Sequence, residues 1–110
     1  MFSANGQTAG FGIKLDNGFH VSVQWGPGNY HDRRDYTPNA WSNHTKRYQE
    51  VGQQSPNAEI MVTSPSDITV QIDGDDVRGY TTPDELAKLL AHLSKRSQFD
   101  TRPIDMEKLP

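Results

Sequence analysis

The sequence predicts an α+β domain: an antiparallel sheet of at least four strands, made of two hairpins, with one C-terminal amphipathic helix packed on one face. Three observations predict it. Apolar and polar residues alternate on both sides of Asp16-Asn17-Gly18, and they alternate again across residues 58–72. Further on, Leu86, Leu89, Leu90 and Leu93 fall at i, i+3, i+4 and i+7 behind a helix start signal.

In the first hairpin, Phe11, Ile13 and Leu15 precede the turn, and Phe19, Val21, Val23 and Trp25 follow it. A two-residue loop at Asn17-Gly18 would put the two apolar sets on opposite faces. A three-residue loop, Asp16-Asn17-Gly18, pairs Leu15 with Phe19, Ile13 with Val21 and Phe11 with Val23, so every apolar side chain shares one face. The parity selects the three-residue loop, with Gly18 left-handed. In the second hairpin, Ala58, Ile60 and Val62 lead into a five-residue connection, Thr63 to Asp67, and Ile68, Val70 and Ile72 lead out. Its odd parity again keeps one apolar face.

That face needs a cover. Thr82-Pro83-Asp84-Glu85 supplies an N-cap, a proline for the first helical position and the second half of a capping box. The spacing predicts a helix from Pro83 to about Arg96, with Lys95 and Arg96 suited to the negative end of its dipole. The domain is expected to span 1–96, with 26–57 a long aromatic and basic loop region. Residues 97–110 are expected to form an extended arm, docked on their own domain or on a neighbouring subunit.

The 110 residues suffice for one domain with one modest core. Hydrophobic residues are 33% of the chain, with nine glycines besides, together below the roughly 45–50% usual for globular chains. A thin core and an apolar tail predict a homo-oligomer. The chain has no cysteine, so disulfides and thiolate chemistry are excluded. No apolar run approaches the roughly 18 residues of a membrane span, and MFSANGQTAG has neither basic residues nor an apolar core. A cytoplasmic protein without membrane attachment is expected.

The net charge is −3 but unevenly placed. Residues 30–48 carry Arg33, Arg34, Lys46 and Arg47 against Asp32 and Asp35, and the rest of the chain is acidic. The same segment holds Tyr30, Tyr36, Trp41 and Tyr48. Arginine forks bind phosphates bidentately and aromatic faces stack on bases. The candidate ligand-binding residues are therefore Tyr30, Arg33, Arg34, Tyr36, Trp41, Lys46 and Arg47, with Arg78 able to approach from just before the helix. A surface loop whose arginines pair with Asp32 and Asp35 is the competing reading.

Other chemistries find less support. His31, Asp32 and His44 lack the convergent spacing of a metal site. Asp73-Gly74-Asp75-Asp76 fails the calcium-loop pattern at its glycine and reads as a tight acidic turn. Gly26-Pro27-Gly28 lacks the Lys and Ser/Thr of a phosphate loop and reads as a type II turn through Asn29. No cofactor and no metal are expected, and nothing supplies a nucleophile with its base.

Four words of the sequence carry a resemblance: Gly-Phe-x-x-x-x-x-Asn-Gly (10–18), Val-Ser-Val-Gln-Trp-Gly-Pro-Gly-Asn-Tyr (21–30), Ala-Glu-Ile (58–60) and Gly-Tyr-x-x-Pro-x-Glu (79–85). They resemble small phage-encoded accessory proteins, most without an assigned function. Where such proteins often keep a cysteine after the tyrosine, this chain has His31 and Asp32. The resemblance implies a phage protein acting in the bacterial cytoplasm, of a kind that commonly counters host defences. The expected function is non-enzymatic binding of a nucleotide signal or nucleic acid through 30–48. The alternative is a protein-binding inhibitor of a host enzyme or defence factor.

Overall fold

Phe11 pairs with Val23 and Ile13 with Val21, and the Leu15 N–H donates to the Phe19 carbonyl at 2.8 Å. These are the pairs that a three-residue loop requires. Gly18 lies at φ +95°, and its N–H closes the loop on the Leu15 carbonyl at 2.8 Å. The computed structural model describes residues 1–3, 9–25 and 54–110. Within them lie β1 (Phe2–Ser3), β2 (Gly10–Lys14), β3 (His20–Gln24), β4 (Gln54–Ser55), β5 (Ala58–Thr63), β6 (Thr69–Val70), β7 (Arg78–Thr81) and α1 (Pro83–Leu93). An antiparallel sheet with one helix confirms the predicted class.

The sheet runs β2-β3-β5. On the far edge of β5, β6 pairs with Val62 and Thr63, while β7 pairs with Ala58 and Ile60. Its register builds rows across the inner face: Ile13, Val21, Val62 and Val70 form one, and Phe11, Val23 and Ile60 another. Phe19, Val21, Val23, Trp25, Ile60, Val62 and Val70 are buried, and Leu86, Leu89 and Leu93 of α1 join them in a single core. Each buried leucine contributes about 1.5–3 kcal/mol. The edge strand β2 is less covered, and Phe11 is 38% exposed.

The second hairpin departs from expectation in its loop. The Ser64 N–H donates to the Ile68 carbonyl at 2.8 Å, and the Asp67 N–H closes on the Ser64 carbonyl at 3.0 Å. The loop is therefore Pro65 to Asp67, three residues rather than five, with Asp67 supplying the positive φ of 63°. Both loops have the same length, and they touch: a Cβ on Gly18 would lie 2.8 Å from the Pro65 ring. After Val70 the chain turns back at Asp73-Gly74, with φ of 54° and 88° and Ile72 bridged to Asp75. Asp-Gly with both residues at positive φ is the signature of a type I′ turn.

The helix begins as predicted. Thr82 Oγ1 accepts the Glu85 N–H at 3.2 Å, and Glu85 Oε1 accepts the Thr82 N–H at 2.9 Å. It ends at Leu93, earlier than the predicted Arg96. The Asn17 amide, from the first hairpin loop, donates to the carbonyls of Leu93 at 2.7 Å and Arg96 at 3.1 Å. The Leu93 carbonyl, which also accepts the Arg96 N–H at 3.1 Å, and the Arg96 carbonyl beyond the helix end are thereby tied to the first hairpin loop. Asn17→Ala is expected to cost about 1–2 kcal/mol, from two lost hydrogen bonds, read as a lower thermal midpoint. Asn17→Asp should cost more, because it also sets a negative charge at the negative end of the dipole.

The arm docks on its own domain. Ile104 and Met106 are buried in the core. The Ile104 N–H donates to the Gln71 carbonyl and the Asp73 N–H donates to the Ile104 carbonyl, both at 2.8 Å. A 3-10 turn, Met106–Lys108, follows.

Candidate functional site

Trp25 is the last described residue before the aromatic and basic segment, and its side chain is only 2% exposed. Its ring stacks on Phe2 at 5.3 Å and meets Phe11 edge-on at 5.9 Å, and its backbone N–H donates to the Ala9 carbonyl at 2.9 Å. The chain is described again from Gln54, and Ser55 pairs with Phe2. Phe2 thus contacts both flanks of residues 26–53, stacked on one and laddered to the other. Of the predicted ligand-binding residues, Tyr30, Arg33, Arg34, Tyr36, Trp41, Lys46 and Arg47 lie outside the described residues. So do His31, Asp32, His44 and the Gly26-Asn29 turn.

Arg78, at the start of β7, is engaged on three of its nitrogens. Nε donates to Asp73 Oδ2 at 3.0 Å, Nη1 to Thr81 Oγ1 at 2.8 Å and Nη2 to Glu85 Oε2 at 2.8 Å. Burial works against the guanidinium charge, but the hydrogen bonds it donates to Glu85 and Asp73, with the charges of those carboxylates, outweigh it and raise the pKa above its ordinary value. The Arg78 hydrogen bond in turn holds Glu85 below its usual carboxylate value. Asp73 Oδ1 also accepts the Met106 N–H at 2.9 Å. One side chain therefore ties the acidic turn, β7, the helix start and, through Asp73, the arm. The arrangement explains the Gly-Tyr-x-x-Pro-x-Glu word: Pro83 and Glu85 begin the helix, and Glu85 completes the knot. Tyr80 sits beside it at φ 56° and is 50% exposed, in the shifted register where β7 meets β5.

A second knot closes the other end of the helix. Arg96, with 6% of its side chain exposed, donates through Nε to His92 Nε2 at 2.9 Å and through Nη1 to the carbonyls of Arg102 at 2.7 Å and Asp100 at 3.3 Å. Because His92 accepts at Nε2, its neutral ring carries the proton on Nδ1. Burial first, and then the Arg96 charge, lower the His92 pKa. Arg102 grips Asp100 with Nε and Nη2, both at 2.9 Å, and its side chain and backbone N–H hold that carboxyl well below the usual range.

Sequence reasoning missed this region, although Lys88, His92 and Lys95 at i, i+4 and i+7 mark one helix face. On the outer side of the sheet, a cleft of about 390 Å³ is lined by Lys14, His20, Thr63, Ser64 and Asp67. Lys14, His20, Thr63 and Thr69 are cross-strand neighbours there. Among the described residues no group of three or more His, Cys, Asp or Glu side chains is placed to hold a metal ion, and no helix is long and apolar enough to cross a membrane. No family model, curated protein or solved structure matches the chain.

Proposed function

We propose that this protein is a non-enzymatic phage accessory protein that binds a phosphate-bearing ligand, a nucleotide signal or nucleic acid, through residues 30–48, and that it acts against host defence in the bacterial cytoplasm. The observation that carries the reading is the shared anchor of residues 26–53. Trp25, which precedes the segment, and Ser55 of β4, which follows it, both lie against Phe2. Functional loops are displayed in this way on rigid scaffolds. The composition of the segment supplies the chemistry: arginine forks for phosphate and aromatic faces for bases, in a chain otherwise acidic. The Arg78 knot makes that residue a support of the scaffold, so the ligand set of this proposal is Tyr30, Arg33, Arg34, Tyr36, Trp41, Lys46 and Arg47.

Arg33→Ala combined with Arg34→Ala tests the reading. At ligand concentrations well below millimolar, the double variant is expected to abolish binding of a nucleotide or a short oligonucleotide in calorimetric titration while leaving the thermal midpoint unchanged. Unaltered binding would remove residues 30–48 from the site. Oligonucleotide binding by the unmodified chain should also weaken steeply with added salt, as counterions compete.

A further inference from the structure

Lys88 and His92 share the face of α1 that turns away from the buried Leu86, Leu89 and Leu93, and Lys95 follows in the turn just past the helix end. The Arg96 knot holds the 100–102 stretch of the arm beside that face. Between helix and arm runs a groove of about 270 Å³, lined by Lys88, His92, Lys95, Arg96, Asp100 and Arg102 among others. Asp100 is its one carboxylate side chain, and it is already held by Arg102 and Arg96. Lys88 and Lys95 form no ion pair with any described residue. In a chain of net charge −3, Lys88, Lys95 and Arg102 line the groove over a buried Arg96, against the single carboxylate side chain of Asp100.

Compensation of the helix dipole explains only part of this. The dipole acts within the last turn, which accounts for Lys95, but Lys88 lies mid-helix and Arg102 lies on the arm. The lowered pKa of His92 has burial as its first cause, but Arg96, Arg102 and Lys95 all push it in the same direction. Asp100 opposes them, so the imidazole sits between the cations and the one carboxylate side chain of the groove. Phe99 belongs to a turn closed by the Asp100 N–H to the Ser97 carbonyl at 2.9 Å, and it is 81% exposed. Both Ser97 and Asp100 line the groove. Cations beside an exposed aromatic face are the pair of features that bind a phosphate attached to a base. The volume lies just below the range of drug-sized sites, about 300–1,000 Å³, which suits a small ligand.

We propose that the groove between α1 and the arm is an anion site for the phosphate of a mononucleotide, with Lys88, Lys95 and Arg102 on the phosphate and Phe99 against the base. It stands independently of residues 30–48.

The test is an NMR titration of the full chain with inorganic phosphate and, separately, with AMP. Both should shift the signals of residues 88–102, AMP at about tenfold lower concentration, and either should raise the His92 pKa by offsetting the surrounding positive charge. Lys88→Ala with Lys95→Ala should weaken both ligands roughly tenfold or more, at an unchanged thermal midpoint because both side chains are exposed. Phe99→Ala should bring AMP down to the affinity of phosphate and leave phosphate binding alone. The Arg33→Ala, Arg34→Ala variant should retain every one of these shifts, which separates this site from the other. No shift at about 10 mM ligand, tenfold above a millimolar Kd, would overturn the proposal. So would unchanged binding in the lysine double variant, equal affinity for AMP and phosphate, or an unmoved His92 pKa.

Discussion

Trp25→Ala is expected to lower the unfolding free energy by about 3–5 kcal/mol, the range for removing a large buried aromatic side chain. For a domain whose whole stability is about 5–15 kcal/mol, such a loss leaves a marginal fold. The loss has two parts. The indole fills core volume, and it makes a stacked pair with Phe2 and an edge pair with Phe11, each worth about 0.5–1.5 kcal/mol beyond the area buried. Phe2 in turn carries the pairing of β1 with β4, so the support of residues 26–53 loosens on both sides. Urea denaturation followed by circular dichroism measures it, and the midpoint should fall sharply. A change below about 1 kcal/mol would mean that the aromatic cluster does not hold this end of the sheet. Trp25→Phe, which keeps a ring in place, should recover a good part of the loss.

Gly18→Val is the second large effect, expected at about 2–4 kcal/mol. At φ +95° a side chain meets the left-handed penalty of roughly 1–2 kcal/mol, and valine is stiffer there than most. The new Cβ would also sit 2.8 Å from Pro65 Cγ and 3.0 Å from Pro65 Cβ, so the two hairpin loops must part. Gly74→Val isolates the first contribution, because Gly74 has φ +88° and nothing within 4 Å of a new Cβ. The Gly18 variant should be the less stable of the two by 1 kcal/mol or more, about the cost of overpacking a filled site. Equal losses would show that the contact between the loops contributes nothing.

The elements legible in the sequence were those with local causes. The first register followed from period-two alternation around Asp16-Asn17-Gly18, and the helix start from Thr82, Pro83 and Glu85, because each uses neighbours in sequence. The second hairpin kept its predicted face although its loop is shorter, since three and five residues share the same parity. Strand β7 escaped notice for a physical reason. Arg-Gly-Tyr-Thr has no alternation, Tyr80 is left-handed, and the pairing with β5 shifts register. The Asp73-Gly74 dipeptide did announce its turn, but only as a tight one, because its hairpin is a single bridge from Ile72 to Asp75.

Long-range causes were not legible. Past Leu93 the chain closes in tighter turns, Lys95 onto His92 and Arg96 onto Leu93, and Asn17, distant in sequence, adds its amide to the Leu93 carbonyl. The pairing of β1 with β4 is two residues long and leaves no periodic trace. The arm was expected to dock, but its irregular apolar spacing did not tell where: Ile104 and Met106 enter the core of its own domain, and the backbone of Gln71 and Asp73 holds it there. Arg78 looked like a free fork before the helix, and only the fold brings Asp73 and Glu85 onto it. The groove was overlooked because Lys95 and Arg96 had an adequate local explanation in the helix dipole, while Arg102 arrives from a separate segment.

Native mass spectrometry of the protein recovered from a bacterial cytoplasm tests the central claim most directly, because it weighs the chain together with whatever it retains. The account predicts added mass matching a nucleotide or a short oligonucleotide, absent from the Arg33→Ala, Arg34→Ala variant prepared in the same way. A host protein bound at fixed stoichiometry, with no phosphate-bearing ligand in either preparation, would contradict it and make the chain a protein-binding inhibitor.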